Sequence, residues 1–274
     1  MMSLARFGLV VCAHLMGLTL YAQEQPANEA LGNAAANAVN PMAFITKLQV
    51  QPNFTWKEDM ARQLNLTTRL VQPTASIGLP FIKSKNPSKV YTIYRFEIPI
   101  IGQTFTETPA LDATGLSDII VADLVAFKQS WGIIGGGPGL LIPTNKPDPI
   151  SGGKWCAGLA TVVLNTKTKG FMYGALIQQY FSFAGNNDRP SRNFMLFQPI
   201  VNKVLGGGYF VGCSPIMNFD WENDTYSIPI IVTFGKAFAK NLSAFIGPQI
   251  MLTGPTSGDL TLQFQLNAMF PPSK

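Results

Sequence analysis

The residues in this sequence that could do chemistry are polar and widely spaced. Arg69, Arg95, Glu97 and Asp123 are ionisable side chains in stretches that otherwise alternate apolar and polar residues. Asn218, Asp220, Gln249, Gln263, Gln265 and Asn267 extend the series toward the C-terminus. Residues alternating in this way line one face of a strand. Without a nucleophile beside a base, they suit hydrogen bonding and charge selection rather than bond making. The sole histidine is His14, in a stretch that has the character of a cleaved leader. A processed chain therefore has no imidazole, which removes Ser-His and Cys-His catalysis and histidine-ligated metal. No enzyme activity, cofactor or metal is expected. Cys156 and Cys213 read as two separate thiols rather than a disulfide. The run Gly135 to Gly139 lacks the Lys-Ser/Thr of a phosphate loop. Glycines in a strand instead allow tight curvature or close packing against whatever fills the interior.

The elements that must hold these residues are strands. Of the 274 residues 47% are hydrophobic and 13% charged, with 25 Gly and 20 Pro. That is too apolar for an ordinary soluble domain and too punctuated for a helical one. Beyond the first two dozen residues no apolar run is long enough for a membrane helix. Arg6, the apolar stretch Phe7 to Leu20 and the Leu20-Tyr21-Ala22 sequence before Gln23 predict a signal peptide over 1–22. Residues 23–43, rich in Ala and Asn, predict a short helix or arm that ends at Pro41 and serves as a periplasmic arm or lumen plug. From 44 to 274 the pattern predicts an all-β, up-and-down antiparallel barrel of about twelve strands. Its closing strand alternates Leu260, Leu262, Phe264 and Leu266 with Thr261, Gln263, Gln265 and Asn267, an apolar face against a polar uncharged one.

Charge supports the meander independently. Connections after even-numbered strands carry Lys83, Lys85, Lys89, Lys128, Lys167, Lys169, Lys203, Lys236 and Lys240. The alternate connections carry Glu58, Asp59, Glu107, Asp112, Asp148, Asp188, Glu222, Asp224 and Asp259, with Lys146 and Arg189 among them. Such sorting fits a protein whose turns face two compartments, the acidic side being the cell exterior. Large aromatics gather at both sets of strand ends, among them Trp56, Trp155 and Trp221 at one and Tyr91, Phe127 and Phe270 at the other. Two such girdles suit the two interfaces of a bilayer.

Several stretches, GGGPGLLIPT (Gly135 to Thr144), GGKWCAGLA (Gly152 to Ala160), the SFAG-x-x-DRP and FQP-x-x-N segments within Gln178 to Leu205, and the closing QFQLNAMFP, resemble a known family. It is the bacterial outer-membrane β-barrel family labelled "neuromedin U" or "MetA-pathway of phenol degradation". The resemblance implies a barrel in the Gram-negative outer membrane that takes up small, aromatic compounds, and it carries no catalytic residues.

The function expected is a transmembrane channel passing small hydrophobic or aromatic molecules without covalent chemistry, the alternative being a structural or surface-interaction barrel without transport. Arg69, Arg95, Glu97 and Asp123 are expected to face the lumen, because charge inside hydrocarbon is expensive. The expected partners are outer-membrane lipid and lipopolysaccharide, the barrel-assembly machinery during biogenesis, and a small hydrophobic solute. Nucleic acid is not among them, since the lysines sit in turns rather than in a patch with stacking aromatics. The barrel is expected to be monomeric.

Overall fold

The computed structural model describes residues 26–57, 60–77, 84–105, 112–144, 150–255 and 257–271. The expected signal peptide, 1–22, lies outside them, as do Glu58, Asp59, Lys83, Glu107, Lys146 and Asp148 of the charge pattern. The chain opens with a helix, α1 (Pro26–Val39). Alanine is its commonest residue, Pro26 stands at its start and Glu29 in its first turn, all favourable for a helix of this size. It ends before Pro41, where the Asn40 side chain accepts a hydrogen bond from the Met42 N–H at 2.9 Å.

Strand segments follow: β1 (Thr46–Trp56), β2 (Met60–Thr74), β3 (Val90–Phe105), β4 (Ala113–Leu116), β5 (Ile119–Lys128), β6 (Gly132–Ile142), β7 (Lys154–Asn165) and β8 (Phe171–Gly185). The remainder are β9 (Asn193–Val204), β10 (Tyr209–Cys213), β11 (Met217–Asp220), β12 (Thr225–Ile231), β13 (Thr233–Ala239), β14 (Leu242–Thr253) and β15 (Leu260–Phe270). The pairs β4–β5, β10–β11 and β12–β13 each form one interrupted stave, so the segments make twelve staves. Every pairing is antiparallel, and β15 pairs with both β14 and β1. The sheet is thereby closed and has no free edge, the condition for strands to cross a bilayer. Thr46 lies opposite Phe270 and Trp56 opposite Leu260, so both chain ends lie at one rim.

Alternation decides which way each side chain points. On β1, Leu48, Phe54 and Trp56 are exposed on the outer face while Lys47 is 1% exposed inside. On β15, Leu260, Phe264, Leu266 and Phe270 are exposed and Thr261, Gln265 and Asn267 are buried. Exposed leucine, isoleucine and phenylalanine cover the wall throughout, as lipid contact requires. Trp56, Trp155 and Trp221 are exposed at one rim and Phe127, Tyr209 and Phe270 at the other. Tyr91 departs from the expected girdle. It points inward, is 3% exposed and donates its hydroxyl hydrogen to the Met42 carbonyl at 2.7 Å.

The described turns keep the charge sorting, with Lys85, Lys89, Lys128, Lys167, Lys169 and Lys240 at the rim of the termini. The opposite rim carries Asp112, Asp188, Glu222 and Asp224 but also cations that the sequence pattern passed over. Lys57 there pairs with Asp259 at 3.7 Å and Arg192 with Asp118 at 2.8 Å. Cys156 is buried and Cys213 half-buried, and both are free thiols.

Candidate functional site

The barrel interior is divided lengthwise. Along β5 to β9 it is filled: Leu124, Ile133, Val162, Leu164, Met172 and Leu176 form one buried apolar cluster with Met42. The glycines of β6 make this filling possible. A side chain at Gly135 would meet the Met42 methyl at 3.2 Å, and one at Gly139 would meet the Tyr180 hydroxyl at 2.7 Å. Gly158, opposite Gly139 on β7, would strike the same tyrosine ring at 2.6 Å. Tyr180 lies on this bare strip, 1% exposed and stacked on Phe194 at 5.4 Å.

The other side of the interior is hollow. A cavity of about 410 Å³ lies between β1, β2, β3 and β15 on one wall and β9 to β14 on the other. Arg69 of β2 and Glu97 of β3 are directly opposite residues on adjacent strands, so their side chains meet. Arg69 donates from Nε at 2.7 Å and from Nη2 at 3.2 Å to the two Glu97 oxygens, and from Nη1 at 2.5 Å to Gln51 Oε1. Arg95, two residues before Glu97 on the same face, donates from Nη2 to the same carboxylate at 3.0 Å. Two guanidiniums thus share one carboxylate, and arginine stays protonated at any ordinary pH.

A ladder of amides completes this wall. Gln263 donates to Gln249 at 2.9 Å, Gln51 to Gln263 at 3.2 Å, Gln265 to Asn267 at 2.5 Å and Asn267 to Ser243 at 3.0 Å. Fixed amide dipoles of this kind present donors and acceptors to a passing solute without net charge.

The end of helix α1 lines the cavity toward the rim of the termini. Ala34, Ala35 and Ala38 pack on Phe210, Ala237 and Met269, all near that rim. Lys47 donates to the Asn37 carbonyl at 3.2 Å and the Asn40 carbonyl at 2.5 Å, holding the last turn of α1 against β1. A lysine at this place both satisfies otherwise orphaned carbonyls and sits at the negative end of the helix dipole.

Most of the residues picked out from sequence come together here. Arg69, Arg95, Glu97, Gln249, Gln263, Gln265 and Asn267 all line the hollow, as do Asn65, Thr67 and Ser214. Asn218 also points inward, opposite Leu196 on β9, with its carbonyl oxygen buried and unpartnered among the described residues. Asp220 does not form a constriction. Its carboxylate accepts the Glu222 and Asn223 backbone N–H groups at 3.1 and 3.2 Å and the Asn223 amide at 2.8 Å, capping the turn between β11 and β12.

Asp123 is the clear error. On β5 the buried inward residues are Ala122, Leu124 and Ala126, which puts Asp123 on the outer face, level with Tyr94 of β3. Expecting every charge to face the lumen overrode the alternation that its neighbours displayed.

Sequence reasoning also missed Lys47 and Gln51, although β1 alternates as plainly as β15. It missed Asp118 as well, which holds the connection between β6 and β7 by accepting from Ser151 at 2.6 Å, from the Gly152 N–H at 3.0 Å and from Arg192. That set brings together residues up to 74 apart, and no local pattern announces it.

No family model matches the sequence, and no curated protein matches it, so the phenol-degradation label rests on the quoted motifs alone. Solved structures do match in fold. An outer-membrane channel from Pseudomonas putida F1 is 11% identical over 85% of this chain and 100% of its own, with a TM-score of 0.65. The NanC porin is 10% identical over 81% of this chain and 98% of its own, with a TM-score of 0.52.

One expectation needs correcting. The missing imidazole suggested a barrel without enzyme activity, yet outer membrane phospholipase A from Escherichia coli is matched at 10% identity over 86% of this chain and 97% of its own, with a TM-score of 0.51. This architecture carries catalysis as well as permeation, and the fold gives no ground for setting an enzyme aside. The closed sheet, its apolar outer wall and these likenesses together make the chain a twelve-stranded β-barrel of the Gram-negative outer membrane.

Proposed function

We propose that the protein is a channel for small solutes, described here in a closed form, whose path is the hollow side of the lumen past Arg69, Glu97 and Arg95. The observation that carries this reading is the one-sided filling of the interior. A barrel serving only as a scaffold gains by packing its whole lumen, whereas here one half is packed and the other keeps about 410 Å³ lined by amides and guanidiniums. Small hydrophobic or aromatic molecules are the proposed cargo. The motif resemblance suggests them, and apolar Ile200, Phe210 and Ile231 line the wall facing the amides, with Phe245 beside Gln265.

Residues 23–43 act in this proposal as a plug ahead of the barrel, 44–274. The support is the seating of α1 on Phe210, Ala237 and Met269 and its attachment through Lys47. Phenol-like solutes and sugars offered to proteoliposomes would test the channel. Swelling with the former is expected, and no swelling with either leaves the reading without support in favour of a barrel that conducts nothing. Deleting 26–43 should raise single-channel conductance, and unchanged conductance removes the plug.

A further inference from the structure

The two walls of the hollow differ in a way that specifies more than size. On one side stand Arg69, Arg95 and Glu97, two permanent cations against one carboxylate, so the cluster is net positive, and Lys47, held by the Asn37 and Asn40 carbonyls, adds a further basic group to the lining. Arg69 is the more engaged of the two, three of its five N–H groups donating to Glu97 or Gln51. Arg95 is less so: its hydrogen bond to Glu97 occupies one of the five N–H groups of a guanidinium, and the other four make no hydrogen bond among the described residues. A guanidinium in a narrow lumen with donors to spare is half of a forked anion site. Across the ring of staves stand Phe210 and Ile200, both buried, with Ile231, while Phe245 stands beside Gln265. These offer an apolar face, interleaved with the neutral side chains of Gln198, Asn202 and Thr233, and that wall has no carboxylate among its lining residues. The volume lies within the roughly 300–1,000 Å³ of small-molecule sites.

We propose, on the footing of the channel reading above, that the hollow is a binding site for a monocarboxylate with an aromatic body: the carboxylate on Arg95, the ring against Phe210, Ile200 and Phe245. A neutral phenol satisfies the ring but leaves the excess charge unmatched. An aromatic amine meets the guanidiniums with like charge.

Equilibrium binding of radiolabelled benzoate to the full-length barrel in detergent tests the site without requiring transport. Saturable binding is expected, displaced by unlabelled benzoate but not by equal concentrations of benzyl alcohol or benzylamine. Arg95→Gln should weaken it about tenfold, the loss of one charge-assisted hydrogen bond, in a protein that keeps its heat-dependent gel mobility. Phe245→Ala should weaken binding without altering the preference for the acid. Displacement by benzyl alcohol as strong as by benzoate, or unchanged affinity in Arg95→Gln, overturns the proposal. Flux of the same three compounds into proteoliposomes separates the two readings. Binding without flux overturns the channel and leaves the site, whereas flux without preference for benzoate overturns the site and leaves the channel.

Discussion

Two halves of one lumen show what different tasks ask of the same strands. Between β5 and β9 the inward positions are Leu, Ile, Val and Met, with Tyr180 and Met42 pressed onto glycines. From β15 through β3 the inward positions that line the hollow are mostly Gln, Asn, Thr and Arg, which hydrogen-bond one another and leave room between them, while Val71, Tyr91 and Ile93 join the apolar cluster. Dense apolar packing contributes stability in proportion to the surface it removes from water. A hydrogen-bonded polar wall contributes little net stability, because water would satisfy the same groups. The packed half therefore holds the cylinder in shape, and the polar half is free to be selected for what it admits.

That contrast can be broken by substitution, and the largest effect should come from the packed half. Tyr180→Ala should lower unfolding stability by about 3–5 kcal/mol, as loss of a large buried ring does, with the ion selectivity of the channel unchanged. Chemical unfolding in lipid measures the first and a reversal potential the second, and a shifted reversal potential would dissolve the division between halves. The outer wall gives the next largest effect. Phe264→Arg places a charge in hydrocarbon and should remove about 2–4 kcal/mol. Gln265→Arg, one residue away on the inner face, should insert normally. Equal failure of both in a heat-modifiability gel would contradict the assigned faces.

Within the hollow half the effects should shift from stability to permeation. Lys47→Met removes two charge-assisted bonds to α1, each worth about 1.5–3 kcal/mol at most, and should loosen the helix from β1. More frequent opening in single-channel recordings is expected, and silent recordings identical to those of the parent would detach Lys47 from gating. Glu97→Gln leaves Arg69 and Arg95 without their shared counter-charge. It should increase preference for anions over cations while costing about 1–3 kcal/mol, and a move toward cations would reverse the charge assignment. Smallest of all, Gln265→Ala should alter stability by less than about 1 kcal/mol, with any change confined to solute preference.

Much of the fold was legible because it rests on period two. Leu260 to Phe270 alternates without a fault, and so the pairing of β15, its faces and the inward placement of Gln263, Gln265 and Asn267 all follow. Sorted lysines gave the up-and-down order, since a side of the membrane is a property of each turn by itself. The interruptions at Cys213–Met217 and at Val232 were not visible, because local propensity is continuous across them. Asp123 went wrong for a different reason: a general rule about charge in lipid was preferred to the local evidence of Ala122, Leu124 and Ala126. The division of the lumen was hidden as well. Which inward side chains meet across a barrel depends on staves far apart in sequence, such as the cluster joining Val71, Ile133 and Leu176. The glycines of β6 hinted at packed contents without naming Met42 and Tyr180 as those contents.

The closing pair of strands also bears on the order of events in time. Gln49 and Asn267, which bond across the seam at 2.8 Å, are 218 residues apart. Contacts of such separation are the slowest to form, because so much chain must be ordered before they are rewarded. Only six residues, 40–45, join α1 to the strand that makes the seam. The helix seated against Phe210, Ala237 and Met269 is therefore tethered beside the joint at which the sheet closes on itself, next to the contacts of greatest sequence separation.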